Sequence, residues 1–207
     1  YFEGTMDGSV RGTVGSVCGR LRGTIDSVYS DAIIVNSARM TGGIAGMING
    51  TGQNTISNCW FDGKITGVSR MGGILGGVYG NKANIEGTIE HCLNTGDIAV
   101  QIGKGDVGGM CGIAETWCTL YIKDCLNAGT FSTVGEGAKA NTHIGTIFGS
   151  VTQTDSVGSK VIISNSFGTK EFYDKLVGWK FGDEGIEQSS VAFVSADEVK
   201  GYGGYQW

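Results

Sequence analysis

Six cysteines are the most reactive side chains in this 207-residue chain, and their spacing limits what they can do. Cys59, Cys92 and Cys125 follow one another at equal intervals, which indicates equivalent positions in a repeat. Equivalent cysteines on parallel strands point the same way, which is unfavourable for the disulfide dihedral angle, and the sequence has no C-x-x-C pair for structural zinc. We therefore predict free cysteines that fill the core, no bound metal, and a reactive thiol at Cys118, which lies outside the regular positions.

Acid–base groups are also present, but their spacing does not form a catalytic pattern. His91 occupies the position that Asn58 and Asp124 hold in neighbouring copies, which indicates a polar ladder that satisfies backbone groups at a corner, and His143 lies in a loop. Enzymes that cleave polysaccharides use paired carboxylates, and the spacing of the acidic loop residues singles out no pair. These residues are Asp31, Asp62, Asp97, Asp106, Glu115 and Glu136. The sequence thus predicts a protein that is not an enzyme.

Residues 103–108 read Gly-Lys-Gly-Asp-Val-Gly and match the G-x-G-x-x-G pattern of dinucleotide-binding sites. A chain with 38 glycines produces such a match by accident. The segment also precedes a strand-like stretch, whereas a phosphate site of this kind needs the N-terminus of a helix. We therefore predict no cofactor.

Two short phrases alternate along the chain and indicate the elements that position these residues. The first reads apolar-Gly-Gly-apolar-x-Gly, and its clear copies contain the pairs Gly42 and Gly43, Gly72 and Gly73, and Gly108 and Gly109. Its penultimate position holds residues that indicate a buried apolar slot, namely Cys18, Ala45, Leu75, Cys111 and Phe148. The second phrase contains Cys59, Cys92 and Cys125, and each of these cysteines precedes a glycine by four residues. Such alternation, with a period of about 33 residues, is typical of repeat architectures.

The repeat predicts an all-β fold, a parallel β-solenoid (β-helix) of about five coils. Each unit is rich in Ile, Val, Thr and aromatic residues between Gly, Asn and Asp, which favours strands and turns, and stacked units bury a face that one unit cannot. Glycine would supply positive φ angles or close backbone approach at the coil corners. The complete absence of proline fits strands that all donate N–H groups.

The chain divides into residues 1–167, assigned to the solenoid repeats, and residues 168–207, assigned to a C-terminal capping segment. The repeat phrases end in the first part, and a solenoid needs its open end covered. Within the second part, Ser195 followed by Glu198 predicts a capping box and a single helical turn.

Composition excludes two classes of function. The chain carries 15 Lys and Arg against 20 Asp and Glu, a formal net charge of −5, so it lacks the cations that neutralise nucleic-acid phosphates. No apolar run approaches the roughly 18 residues that span a bilayer, so we predict no membrane insertion. Because the chain opens at Tyr1 without an initiator Met or a leader, we expect it to be part of a larger multidomain protein.

The alternation of Gly-Gly-apolar-x-Gly with Ile-x-Asn-Cys-x-Asn-x-Gly resembles the GLUG-type repeats of bacterial surface and secreted proteins, including stretches of immunoglobulin-A endopeptidases. The resemblance covers roughly residues 5–167. It implies an extracellular array at a bacterial cell surface or in a secreted protein, typically from a Gram-positive species, that displays or binds something. The family has no shared catalytic residue to carry over to this chain.

Aromatic residues that break the repeat pattern are the candidate contact residues. Trp60 and Phe61 replace the Leu-Asn of other copies, and Tyr79, Trp117 and Tyr121 fall in neighbouring coils. They indicate a noncatalytic module that recognises a host protein or a glycan, with an immunoglobulin as the first partner to test. Three alternatives stay open: aromatic side chains that only cover loop backbones, a structural spacer without a partner, and a carbohydrate-active β-helix enzyme.

Overall fold

The computed structural model describes residues 1, 3–8, 12–36, 39–80, 84–101, 105–134, 143–152, 159–169, 175–179, 186–195 and 198. These residues form 26 short strands, and neighbouring strands are parallel. The first eleven are β1 (Thr5–Gly8), β2 (Thr13–Val14), β3 (Cys18–Leu21), β4 (Thr24–Asp26), β5 (Tyr29–Ser30), β6 (Ile33–Asn36), β7 (Met40–Gly42), β8 (Ala45–Ile48), β9 (Gln53–Ser57), β10 (Trp60–Phe61) and β11 (Lys64–Gly67).

The remaining strands continue the same sequence of elements. They are β12 (Arg70–Gly72), β13 (Leu75–Val78), β14 (Ile85–Glu90), β15 (Leu93–Asn94), β16 (Asp97–Gln101), β17 (Asp106–Gly108), β18 (Cys111–Ala114), β19 (Cys118–Lys123), β20 (Leu126–Asn127), β21 (Thr130–Val134), β22 (His143–Gly145), β23 (Phe148–Val151), β24 (Lys160–Thr169), β25 (Val177–Trp179) and β26 (Ile186–Val194).

The chain visits four sheets in a fixed order, so the fold is an all-β parallel β-solenoid, which confirms the predicted fold class. Sheet 1 has the order β1-β6-β11-β16-β21, sheet 2 the order β2-β7-β12-β17-β22, and sheet 3 the order β3-β8-β13-β18-β23-β25. Sheet 4 is bent. Its first arm contains β4, β9, β14 and β19, its second arm contains β5, β10, β15 and β20, and the long strand β24 pairs with both arms. Strand β26 pairs with β24.

The regularly spaced cysteines lie above one another at the bend of sheet 4. The N–H of Leu93 donates to the carbonyl of Cys59 at 2.9 Å, and the N–H of Leu126 donates to the carbonyl of Cys92 at 3.0 Å. Successive coils are therefore in register, and Cys125 occupies the next place in the same column. The apolar slot of the first phrase is also in register, with Cys18, Ala45, Leu75, Cys111 and Phe148 on neighbouring strands.

Phe61 belongs to the core, so the prediction that it lies on a contact surface is wrong. Its side chain is fully buried and packs against Gly43 and Gly96. The same column holds Asn94 and Asn127, which are also fully buried, and the Asn94 Nδ2 donates to Asn127 Oδ1 at 2.6 Å. The same buried position is therefore occupied by an apolar ring in one coil and by hydrogen-bonded asparagines in the next two.

The glycine pairs let sheets 2 and 3 approach at backbone distance. A Cβ built on Gly42, Gly72 or Gly108 would overlap the backbone carbonyl oxygen three residues further along the chain. None of these three glycines has a positive φ angle. Glycine is therefore required at these positions for close backbone approach and not for a positive φ angle.

The positive φ angles of the repeat fall instead on a column of polar residues at the bend of sheet 4. Its members have φ between 45° and 58° and are Ser27, Asn58, His91, Asp124, Asn165 and Ser190. A left-handed backbone favours short polar side chains, which explains the polar ladder. The side chains bond along the column, for example Asn165 Nδ2 to Asp124 Oδ1, and His91 Nε2 lies 3.8 Å from Asp124 Oδ2. The side-chain bonds of the ladder thus join adjacent coils, and its bonding to corner backbone groups stays a prediction.

Parallel pairing continues past residue 167 into the segment assigned as a cap. Strand β25 pairs with β23, β26 pairs with β24, and Ser190 repeats the left-handed corner. Beyond them, the Ser195 N–H donates to Glu198 Oε2 at 2.7 Å and the Glu198 N–H donates to Ser195 Oγ at 3.2 Å, which is the predicted capping box. The rest of that helical turn, Glu136 and residues 103 and 104 lie outside the described residues.

Candidate functional site

The outer face of the first arm of sheet 4 carries a polar groove with a volume of about 270 Å³. Burial alternates along β14 and β19, so every second side chain points outward. The groove is lined by residues from three successive coils, namely Gln53, Asn54, Thr55, Glu86, Thr88, Glu90, Tyr121 and Lys123. The stacking of parallel strands therefore builds the groove from positions far apart in the sequence.

Register and one buried amide hold the groove in place. Thr55, Thr88 and Tyr121 lie side by side on neighbouring strands. The buried Asn54 donates from Nδ2 to the carbonyl of Glu86 at 3.0 Å and to two carbonyls of the loop before β9. The first strand of the groove is thus fixed both to the loop that precedes it and to the next coil.

Tyr121 is the aromatic wall of the groove, and two carboxylates lie on the strand beside it. The Lys123 ammonium sits 5.1 Å from the centroid of the Tyr121 ring, close enough for a cation–π interaction that orients the ring. Glu86 and Glu90 are four residues apart on one strand, which places their Cα atoms about 13 Å apart.

The other predicted contact residues do not line the groove. Trp60 lies on the second arm of sheet 4, half-buried, and its Nε1 donates to Thr95 Oγ1 at 2.7 Å. Trp117 occupies the turn before β19 with φ of 62°, and its carbonyl accepts the N–H of Ile85 at 2.9 Å. Tyr79 packs on a separate cluster of buried apolar residues. Only Tyr121 among the predicted aromatic residues belongs to the groove.

A buried carboxylate accounts for the surroundings of Tyr79. Glu115 is 5% exposed, and it forms ion pairs with Arg39 and Arg70, the first at 3.0 Å. The Arg39 guanidinium also lies 5.3 Å above the Tyr79 ring centroid. Glu115 thus pairs with both arginines, and Arg39 also packs on the Tyr79 ring. These contacts join three coils, so we interpret the cluster as a structural network.

Sequence reasoning missed a cluster of His143, Asp106 and Ser150. The Asp106 Oδ1 lies 2.9 Å from His143 Nδ1 and accepts a hydrogen bond from Ser150 Oγ at 2.6 Å. The carboxylate therefore sits between serine and histidine, whereas nucleophilic activation needs the imidazole next to the hydroxyl. The sequence did contain a signal, because Asp106 and His143 each stand directly before an apolar residue and a glycine of the first phrase. In the structure the two residues lie side by side on neighbouring strands.

All six cysteines are free, and five of them are buried. The prediction that Cys118 is the reactive thiol is wrong, because it pairs in register with Ile85 and its side chain is 1% exposed. Burial raises the pKa of Cys118 to about 12, and its Sγ donates to the Glu115 carbonyl at 2.8 Å. Cys18 is the one that is only half-buried.

Alkylation of the native protein is expected to label Cys18 at least tenfold faster than any other cysteine, because access to the buried thiols requires local unfolding. Peptide mass spectrometry after timed exposure to iodoacetamide at pH 8 measures the rates. A Cys18→Ser variant should stay unlabelled until urea is added. Labelling of Cys118 at the rate of Cys18 would contradict this placement.

Among the described residues, no group of three or more His, Cys, Asp and Glu is arranged to hold a metal ion. No helix in that part of the chain is long and apolar enough to cross a membrane. Comparison with protein-family models, with curated proteins and with solved structures finds no match. The resemblance to GLUG-type repeats stays a prediction, and the function is inferred from the geometry of the groove.

Proposed function

We propose that this chain is a noncatalytic recognition module that binds a glycan, free or carried by a host glycoprotein, in the groove of sheet 4. The observation that carries the proposal is the lining, where hydroxyl, amide and carboxylate groups surround one aromatic ring. A sugar ring has hydroxyl groups along its edge and C–H groups on its faces. Such a lining can hydrogen-bond the edge and pack an aromatic ring on a face.

The polar groups are suited to the exchange of hydrogen bonds with sugar hydroxyls. Thr55 and Thr88 both donate and accept, whereas Glu86 and Glu90 accept two or more bonds each. Neither glutamate forms an ion pair with another described residue. Their lone pairs are therefore available to a ligand, and charge-assisted bonds are the stronger kind.

The construction of the groove lowers the cost of binding. Its side chains project from three strands that are paired in register over the whole length of the site. Side chains on paired strands lose less freedom on binding than side chains on loops, so more of the contact energy appears as affinity.

The two groove glutamates can accept hydrogen bonds at two places along one strand. The Cα atoms of Glu86 and Glu90 are about 13 Å apart along their strand, so the two carboxylates can bond to different parts of one extended ligand. The expected setting, a bacterial surface or secreted protein with further domains, rests on the repeat resemblance, and an immunoglobulin is the first glycoprotein to test.

Replacement of Tyr121 by alanine should weaken glycan binding at least tenfold, because the aromatic wall is lost. A glycan array identifies the ligand, and titration calorimetry with the best hit measures the affinity. Tyr121→Phe keeps the ring and should retain most of the affinity. Trp60→Ala, on the other arm of the sheet, is the matched control and should leave the affinity unchanged.

The same array separates the alternatives. A protein that binds no glycan and captures no mucosal glycoprotein would favour the structural spacer. Shortened sugars in the mixture, detected by mass spectrometry, would favour the carbohydrate-active enzyme. Equal loss of binding in Tyr121→Ala and Trp60→Ala would place the ligand outside the groove.

A further inference from the structure

The second arm of sheet 4 differs from the first in carrying apolar side chains on its outer face. One residue from each of five coils contributes to a column in register, which we call the apolar column: Tyr29, Trp60, Leu93, Leu126 and Phe167. Its first end is aromatic. Tyr1 stacks on Tyr29 with ring centroids 5.6 Å apart, and Trp60 meets Tyr29 edge-on at 4.8 Å. Four of the five members are half-buried and thus remain partly open to solvent.

Three carboxylates flank the aromatic end of the apolar column. The Tyr1 hydroxyl donates to Glu3 Oε2 at 2.9 Å and to Asp31 Oδ2 at 3.2 Å, and Asp62 accepts a hydrogen bond from Thr95 Oγ1. None of the three carboxylates forms an ion pair with another described residue.

Nearby carboxylates contribute to raised pKa values of both Tyr1 and Tyr29. The hydrogen bond to Glu3, together with burial and the nearby charge of Asp31, raises the pKa of Tyr1 to about 12. Burial and the charges of Asp62 and Asp31 raise the pKa of Tyr29. This end of the molecule therefore combines aromatic rings with three carboxylates that pair with no cation of the described residues.

We infer that the apolar column docks an extended basic peptide segment of a partner protein. A lysine or arginine of that segment would lie against the exposed Tyr1 ring and Trp60, where aromatic rings attract a cation and Asp31 and Asp62 supply charged acceptors. The apolar side chains that follow in the segment would cover Leu93 and Phe167. The site is separate from the glycan groove and does not depend on the function proposed there.

The length of the column favours a peptide over a small cation. Five members at strand spacings of about 4.8 Å span about 19 Å. An extended peptide of six residues spans about 20 Å. A quaternary ammonium ion would occupy the aromatic end alone and would not reach Leu93 or the members beyond it.

Fluorescence anisotropy of a labelled hexapeptide amide, Arg-Arg-Ser-Leu-Ser-Leu, tests the proposal at 50 mM salt. We expect saturable binding that weakens at least fivefold at 500 mM salt, because the charged contacts are screened. The double variant Asp31→Asn, Asp62→Asn should weaken binding at least tenfold. The double variant Glu86→Gln, Glu90→Gln removes the same charge from the groove and should leave the affinity unchanged.

Further variants keep the apolar part of the proposal testable. Leu93→Ser should weaken the same peptide, and a peptide with serine in place of both leucines should bind less tightly than the original. Trp60→Phe, which preserves a ring, should retain more affinity than Trp60→Ala, with thermal unfolding showing that both variants fold. Equal affinity of the two double variants, equal binding of a Glu-Glu peptide, or binding of tetramethylammonium without the peptide would overturn the proposal.

Discussion

Replacement of Gly72 by alanine is expected to lower the free energy of unfolding by at least about 3 kcal/mol, because the new Cβ would overlap a backbone carbonyl. That oxygen belongs to Leu75, and the Cα of Cys111 on the next coil lies 3.0 Å from the same Cβ position. Backbone atoms on both sides cannot move without breaking strand pairs. For a chain of this size, the midpoint of thermal unfolding should fall by about 6–12 °C.

Gly87→Ala is the matched control for this substitution. A Cβ at Gly87 would meet only the ends of side chains, Ile48 Cδ1 at 3.2 Å and Leu120 Cδ1 at 3.5 Å. Those methyl groups can rotate away, and alanine is favoured over glycine within a strand by roughly 0.5–1 kcal/mol. The Gly87 variant should therefore unfold within a few degrees of the wild type. Similar midpoints for the two variants would contradict the close approach of sheets 2 and 3.

Alkaline pH is expected to destabilise the fold through its buried thiols. Burial raises the pKa values of Cys92, Cys111 and Cys118 above that of an unfolded cysteine, which is about 8.5. Above that pH the unfolded chain loses these protons while the folded chain keeps them, so stability is full below about pH 8.5 and falls as the pH rises. At pH 10 each thiol removes about 2 kcal/mol.

The three thiols together should lower the unfolding midpoint by more than about 10 °C between pH 7.5 and pH 10. Differential scanning calorimetry measures this difference. In the double variant Cys111→Ala, Cys118→Ala, overall stability decreases, but the pH-dependent part should shrink by about 4 kcal/mol. The same pH dependence in wild type and double variant would assign the alkaline loss to other groups.

The fold was predictable because the repeat constrains register as well as strand content. Cysteines one period apart stack, and the apolar slot from Cys18 to Phe148 is one column. The same rule would have corrected the error at Cys118, since Ile85 lies one period before it and pairs with it. The spacing of one period therefore predicts which residues are buried together better than the two repeat phrases do.

Phe61 and the groove show where the period alone is insufficient. Phe61 stands out in the sequence because it replaces the asparagine of other copies, but the structure places it in one column with Asn94 and Asn127, and both asparagines are buried and bond to each other. The groove follows from the two-residue alternation in β14 and β19, a signal present in the sequence. The contact of Asp106 with Ser150 joins sheets 2 and 3 and depends on how closely they pack, which no spacing encodes.

Trp60, Leu93 and Leu126 are paired positions separated by equal numbers of residues. This regularity bears on how the number of repeat units can change in evolution. Unequal recombination between equivalent codons deletes or duplicates one whole unit. The strands on either side of the junction still align, so solenoids of different length can arise without loss of folding. The groove draws side chains from three successive units. A change in unit number between residues 53 and 123 therefore alters the lining of the groove as well as the length of the solenoid.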